Sequence, residues 1–446
     1  MKNKKIKILK KQVQGITLIA LVVTIVLLIL VGVAINLTVG DNGLFKRAQN
    51  AADTYQDASE REAIELALAG MQIGSMQETG MTKAELENSL KEQFGDEASV
   101  EENEDGSFLV TIGENQYYVG EDGEIIDSSN MVEISTANEL KVFRDDVNNG
   151  NTYDGKYVYL TNDIILDSSE EWEPIGNREN PFKGIFNGKS NQIDRIYIDT
   201  NEGDQGLFGY SNNASIVNLG IGQNCSINGG NYTAGIIGTA SNETRIIKCF
   251  NNASINCSGI ASGGIAGQLT INGKISQCYN KGTVTGLDTH VGGICGNADQ
   301  NSTIDKCYNS GLITGTTKYA GGIVGVLKNS ILNNCYNIGS VYGHTSVGGI
   351  CGEAMNSKSY IKNVYNIGYI TGTNQVSGIA YCWNNSKVLN GFYLEGVVNG
   401  SNDTIMNEGI LSISAEKLKE STNSLGNAFK EDTNNINNGY PILKWQ

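Results

Sequence analysis

The side chains that could do acid–base work in the Gly-rich repeats of this chain, residues 205–400, are few. They are Glu243, Asp288, Asp299, Asp305, Glu353 and Glu395, with His290 and His344 as the imidazoles. Cleaving a glycosidic bond takes two carboxylates facing one substrate, about 5 to 9.5 Å apart. Asp299 and Asp305, which flank one turn, are the best pair the spacing offers. Turn carboxylates with no charged partner to separate their pKa values are the ordinary solvated arrangement, so no catalytic residue is assigned. The two histidines could serve as bases near neutral pH, but neither opens a metal-ligand spacing. Neither Gly-x-x-x-x-Gly-Lys-Ser/Thr nor Gly-x-Ser-x-Gly occurs. The cluster Glu101, Glu102, Glu104 and Asp105 lacks the Asp-x-Asp-x-Asp-Gly order of a calcium loop. No metal and no cofactor is expected.

Two further residue types recur at a fixed interval. All nine cysteines lie between Cys225 and Cys382. Cys249, Cys278, Cys307 and Cys335 share a repeat position with Leu219, Val364 and Phe392, a slot that wants a small or medium apolar group. Buried thiols are the expected state, although neighbouring coils would bring equivalent Cα atoms within the 4.4–6.8 Å or so that a disulfide spans. The position after that slot holds Phe250, Tyr279, Tyr308, Tyr336, Tyr365 and Tyr393. If the Cys points inward, alternation turns these rings outward. They would form either a structural ladder or a ligand-binding stripe for flat sugar faces or a partner protein. Asn251, Asn280, Asn309, Asn337 and Asn366 follow one residue later and read as a structural amide ladder.

The element that positions all of these is one repeated sentence, Gly-Gly-Ile-x-Gly, then Ile-x-x-Cys-Tyr-Asn, then Gly-x-Val/Ile-x-Gly, with a period of 28 to 30 residues from about Ile216 to Gly400. Its pieces are too short for helices and rich in Gly and β-branched residues, so strands are predicted. A fixed period of this size means stacked units that bury their apolar faces against one another. Rungs about 4.8 Å apart would make a rod. The repeated block resembles the GLUG repeat of bacterial surface proteins. That resemblance implies an extracellular β-helix and brings no catalytic residues with it.

The amino terminus has a different logic. Lys2, Lys4, Lys5, Lys7, Lys10 and Lys11 precede Gly15, and Ile16 to Ile35 form an apolar run of twenty residues, long enough to span a membrane with the lysines cytoplasmic. Gln14-Gly15-Ile16-Thr17-Leu18-Ile19 resembles the processing site of type IV prepilins and type II secretion pseudopilins. The resemblance implies a prepilin peptidase that cuts after Gly15, methylation of Ile16, and packing against other pilin or pseudopilin subunits through the apolar helix. Ala20 stands where that family usually carries Glu. The net charge of -16 argues against a nucleic-acid partner.

The reading is therefore mainly β, a parallel β-helix of about seven repeats with capping coils, preceded by a long membrane or stalk helix and a small α+β domain. Its parts are a basic leader (1–15), the apolar helix (16–69), the small domain (70–130), an N-terminal cap and first coils (131–204), the repeats (205–400) and a C-terminal cap (401–446). The last apolar stretch, Tyr440 to Trp445, is expected to lie across the open end of the final coil. The function expected is that of an exported, non-catalytic, single-pass membrane protein of a bacterial surface, Gram-positive by expectation, or of a pilus-like filament. It would display the solenoid outside the cell for adhesion to a glycan or a surface protein. A minor pseudopilin of a secretion machine and a β-helix polysaccharide-degrading enzyme are the alternatives.

Overall fold

The computed structural model describes residues 56–68, 82–103, 107–120, 125–400 and 409–446. The leader, the Gly15/Ile16 processing site and the apolar run Ile16 to Ile35 lie outside them. Among the described residues no helix is long and apolar enough to cross a membrane.

Two compact units are present. The smaller one joins a helix over 56–68 and the helix Lys83–Phe94, capped by Thr82, to antiparallel strands Ala98–Glu102, Phe108–Ile112 and Asn115–Val119. Ile64, Leu86, Leu90, Val110 and Tyr117 fill its core. The Tyr117 hydroxyl meets the carboxylates of Asp57 at 2.6 Å and Glu60 at 2.8 Å. Burial, then those two acids, push its pKa well up.

The larger unit is a parallel β-solenoid, and the turn from Lys274 to Ser302 shows how the repeat folds. Strand Lys274–Ser276 leads through Gln277, in the left-handed region (φ 54°), to Tyr279–Asn280. Val284–Gly286 makes the second side, and His290–Gly292 with Cys295–Ala298 the third. The left-handed residue recurs before every Cys slot as Asn218, Lys248, Gln277, Lys306, Asn334, Asn363 and Asn390. It kinks the strand so that the next residue points inward, and Asn tolerates that conformation best among non-glycine residues. Each strand pairs in parallel with its equivalent one period later. One apolar core, Ile134 to Val388, runs the length of the stack.

The Asn ladder expected from the repeat is present and buried. Asn251, Asn280, Asn309 and Asn337 each donate to the next amide oxygen at 2.7–2.8 Å. Each Nδ2 also reaches the carbonyl two residues on, as Asn309 does to Gly311 at 2.9 Å. The consensus glycines follow from this corner. A Cβ on Gly264 would run into the Asn280 amide, and one on Gly311 into the Gly282 carbonyl. The thiols of the Cys column are free and buried. Cys278 and Cys307 each donate to a carbonyl two residues back at 3.2 Å.

Each end of the stack carries an added element. At the start, helix Ala137–Asn148, with a Thr136/Glu139 capping box, lays Leu140, Phe143 and Val147 over the first coils. Phe143 packs 4.8 Å from Tyr153 and 5.8 Å from Phe182. Trp172 is buried there and donates to the Leu207 carbonyl at 3.1 Å. At the far end Ile410–Ile413 pairs with the last full coil. The segment after it does not cross the open end as expected. It turns back along the side of the solenoid and buries Leu418, Leu425, Phe429 and Leu443 against the aromatic column.

Replacing Asn309 by Leu leaves the Asn280 amide and the Gly311 N–H without their acceptor in a buried corner. The unfolding free energy from urea titration is expected to fall by about 3 kcal/mol. Asn256→Leu on an exposed position should change it by no more than about 0.5 kcal/mol.

Candidate ligand-binding faces

Three lateral surfaces could meet a ligand. The first is the aromatic column. Phe250, Tyr279, Tyr308, Tyr336 and Tyr365 stack with centroids 5.0–5.1 Å apart and planes within 8° of parallel. Tyr393 is not part of it. Tyr365 pairs with Phe392 and Asn366 with Tyr393, because the last turn is one residue shorter and Gly391, not Phe392, fills the Cys slot. Tyr393 ends the Asn ladder instead.

Nor is the column open. The C-terminal segment, with helix Ala415–Lys419 and the antiparallel pair Phe429–Lys430 and Ile442–Leu443, straps over it. Leu418, Leu425, Phe429 and Leu443 form one buried cluster with Tyr336, Tyr365 and Phe392. Trp445 lies 5.9 Å from Tyr308 and 6.4 Å from Tyr279, and its indole N–H reaches the Lys306 carbonyl at 2.9 Å. The Tyr336 hydroxyl donates to Gln446 Oε1 at 3.0 Å, and Tyr365 donates to the Pro441 carbonyl while accepting from Asn437 at 2.7 Å. Burial raises the phenol pKa of Tyr308, Tyr336 and Tyr365. This stripe, read from sequence as a candidate for ligands, is occupied by the chain's own tail. Tyr336 and Tyr365 are fully buried, while Phe250, Tyr279 and Tyr308 are half-buried.

The second surface is built on the Gly-Gly-Ile-x-Gly strands and carries Glu353 and His290. Glu353 is 7% exposed. Burial raises its pKa, while Ser346, 3.3 Å away, and Lys318 favour the ionised form. His290 packs 5.4 Å from Tyr319. Burial lowers its pKa to about 4 against the opposing charge of Asp288, so it is neutral at physiological pH. Among the described residues no hydrogen bond or ion pair joins His290 to Glu353, and the charge that acts on the imidazole is that of Asp288. His344 is exposed beside Thr345. Asp305 sits on the aromatic sheet, accepting from Asn334 at 2.7 Å, and Asp299 lies in the turn before it. The acids picked out from sequence are thus spread over different sheets.

The third surface is the side formed by Tyr197–Asp199, Ser226–Gly229, Ser254–Cys257, Val284–Gly286 and their successors to Val398–Asn399. Ile227, Ile255, Val284, Ile313, Val341 and Ile370 point inward with 0% exposure. The alternating residues face out in two columns. One reads Asp199, Asn228, Asn256, Thr285, Thr314, Tyr342, Thr371, Asn399. The other reads Tyr197, Ser226, Ser254, Thr283, Leu312, Ser340, Tyr369. Apart from Asp199 neither column carries a charge. Asn256 donates to Asn228 at 2.8 Å, and Asn228 to Asp199 at 3.3 Å. A cleft of about 490 Å³ opens beside this end, lined by Asn201, Asn256, Ser258, Thr285 and Leu287 among others. Sequence reading passed over this face because Ser, Thr and Asn at outward strand positions look like ordinary solvated residues. The recurring Gly-x-Val/Ile-x-Gly element, whose x position faces out, was the available signal.

In the strap, the Asp432 carboxylate accepts the N–H groups of Ile436, Asn437 and Gly439 at 2.7–3.0 Å. Burial opposes its ionisation, but those three bonds outweigh it and lower its pKa. A depressed carboxylate stabilises above its unfolded pKa of about 3.9 and loses that contribution as pH falls through the lower folded value. The strap should therefore stay docked from neutral pH to about pH 4 and loosen below it. The readout is the Trp445 emission, taken as the difference between the intact chain and Trp445→Phe. Emission unchanged down to pH 2, or a shift already complete at pH 6, would contradict this.

No family model matches the chain, and no curated protein matches it in sequence. Among solved structures it is similar to a Bacteroides ovatus protein proposed to be an immunoglobulin A1 protease, with 22% identity and a TM-score of 0.47 over 72% of this chain and 94% of that one. It is also similar to a structure described as IgA1 protease, with 16% identity and a TM-score of 0.46, where the match covers 74% of this chain and 28% of the other.

Proposed function

We propose that this chain is an exported, non-catalytic binding protein, tethered to a bacterial membrane or filament by its prepilin-like amino terminus, that presents the solenoid for attachment. The observation that carries the reading is the third lateral surface, whose outward Ser, Thr and Asn residues continue over successive rungs with Asp199 as the sole charge in the two columns. Side chains that keep such a face flat and uncharged offer donors and acceptors at a regular spacing, a suitable surface for an extended partner. The aromatic column is the internal seat of the strap on this reading, which leaves the polar face as the contact surface. The GLUG-like repeat order and the basic leader with Gly15, Ile16 and the apolar run support export and tethering.

Adherence of cells displaying the protein tests the binding part. Thr285→Lys with Thr314→Lys places two cations on the face without touching the core, and adherence is expected to drop at least about tenfold at unchanged surface level. Adherence equal to the parent would remove the face from the account. Intact mass of the protein sheared from cells tests the tether, with a chain beginning at methylated Ile16 expected. A mature chain beginning at Met1 and confined to membranes would replace the filament by a signal anchor.

A further inference from the structure

The polar face carries two large rings that the fold does not use. Tyr342 is 45% and Tyr369 66% exposed. They occupy adjacent rungs in the two different columns, Tyr342 beside Thr371 and Tyr369 beside Ser340, and are therefore diagonal neighbours within reach of one bound group. Among the described residues neither ring stacks on another and neither hydroxyl is bonded. This is unlike Tyr308, Tyr336 and Tyr365 on the aromatic sheet, which are stacked and strapped. Exposed aromatic surface grouped on one face of a solenoid is a binding feature rather than a packing one.

We propose that Tyr342 and Tyr369 form a stacking platform for an uncharged polysaccharide chain lying along the solenoid axis, whose other end enters the cleft at Leu287. This rests on the binding reading above and names its ligand class. A pyranose ring has an apolar C–H face that fits an aromatic ring and a rim of hydroxyls that need donors and acceptors. The column supplies both in order. From the platform the chain crosses Thr314 and then Thr285, one rung of about 4.8 Å at a time, and reaches Asn256 at the cleft. Leu287, 57% exposed, gives the terminal sugar a second apolar contact. Charge decides against polyanions. No Lys or Arg stands in either column and Asp199 lies at the cleft end, so a polyuronate or nucleic acid finds no counter-charge along this face.

The test uses the full chain in detergent and isothermal titration with cellohexaose, mannohexaose, xylohexaose and chitohexaose, their disaccharides, and hexagalacturonate. At least one neutral hexasaccharide is expected to bind, with its disaccharide at least about tenfold weaker because it cannot reach from platform to cleft. Tyr342→Ala with Tyr369→Ala should weaken the hexasaccharide at least about tenfold, one decade for each lost 1.4 kcal/mol. Tyr360→Ala, an exposed ring on the aromatic sheet, should leave it unchanged and shows that a Tyr loss by itself is harmless. Binding of none of the neutral hexasaccharides, preference for hexagalacturonate, or binding indifferent to the Tyr342/Tyr369 change would overturn the proposal. If the same double variant abolishes cell adherence while no glycan binds, the partner is a protein, and the binding reading stands without this ligand. If adherence too is unaffected, the face itself is wrong.

Discussion

The buried amide corner is the constraint from which the rest of this solenoid follows. Each Asn from Asn251 to Asn337 donates to the Asn of the next rung and to its own chain two residues on. A slip of register by one residue would bury these amides without partners, at a cost of about 1–3 kcal/mol per group. The ladder thus holds every coil in one alignment. The glycines beside it exist because a side chain at Gly264, Gly293 or Gly322 would occupy the space of the amide. With register fixed, whatever stands at one repeat position is stacked into a column. Cys, Tyr and Thr columns are all consequences of that alignment.

A column is not by itself a binding site, and the two aromatic sets make the difference plain. The stacked tyrosines are spaced for a ligand, yet their outer edges are sealed by Phe429, Leu443 and Trp445, and their hydroxyls are bonded to Asn437 and Gln446. Burying these rings under the strap removes apolar area from water at about 25 cal/mol per Å², which a solvated ligand would have to match. Among the described residues nothing seals Tyr342 and Tyr369, which are 45% and 66% exposed. The strap thereby does two things. It closes the apolar side of the solenoid, and it leaves the polar side uncovered by the strap.

Much of this was legible from residue types alone. Period, strand order, the inward Cys slot and the Asn ladder could be read because identical residues in stacked coils repeat one local environment. What could not be read was the partner of each outward column. Whether Tyr336 faces water depends on Phe429 and Leu443, about a hundred residues away and without any periodic signal. The misplacement of Tyr393 has a similar origin, since one residue lost from the last turn shifts the alignment where the consensus has already faded. The importance of the Thr and Asn columns was hidden because their residue types are also those of any solvated strand.

Hydroxyl-radical footprinting of the protein on intact cells, with and without the surface to which they attach, tests most directly the claim that the polar face makes contact and the aromatic column does not. The account predicts that Tyr342 and Tyr369 are modified in free cells and protected on attachment, that Tyr360 is modified in both, and that Tyr336 and Tyr365 are modified in neither. Unchanged labelling of Tyr342 and Tyr369, with new protection at Tyr279 or new reactivity at Tyr336, would contradict it and return the aromatic column to the centre of the function.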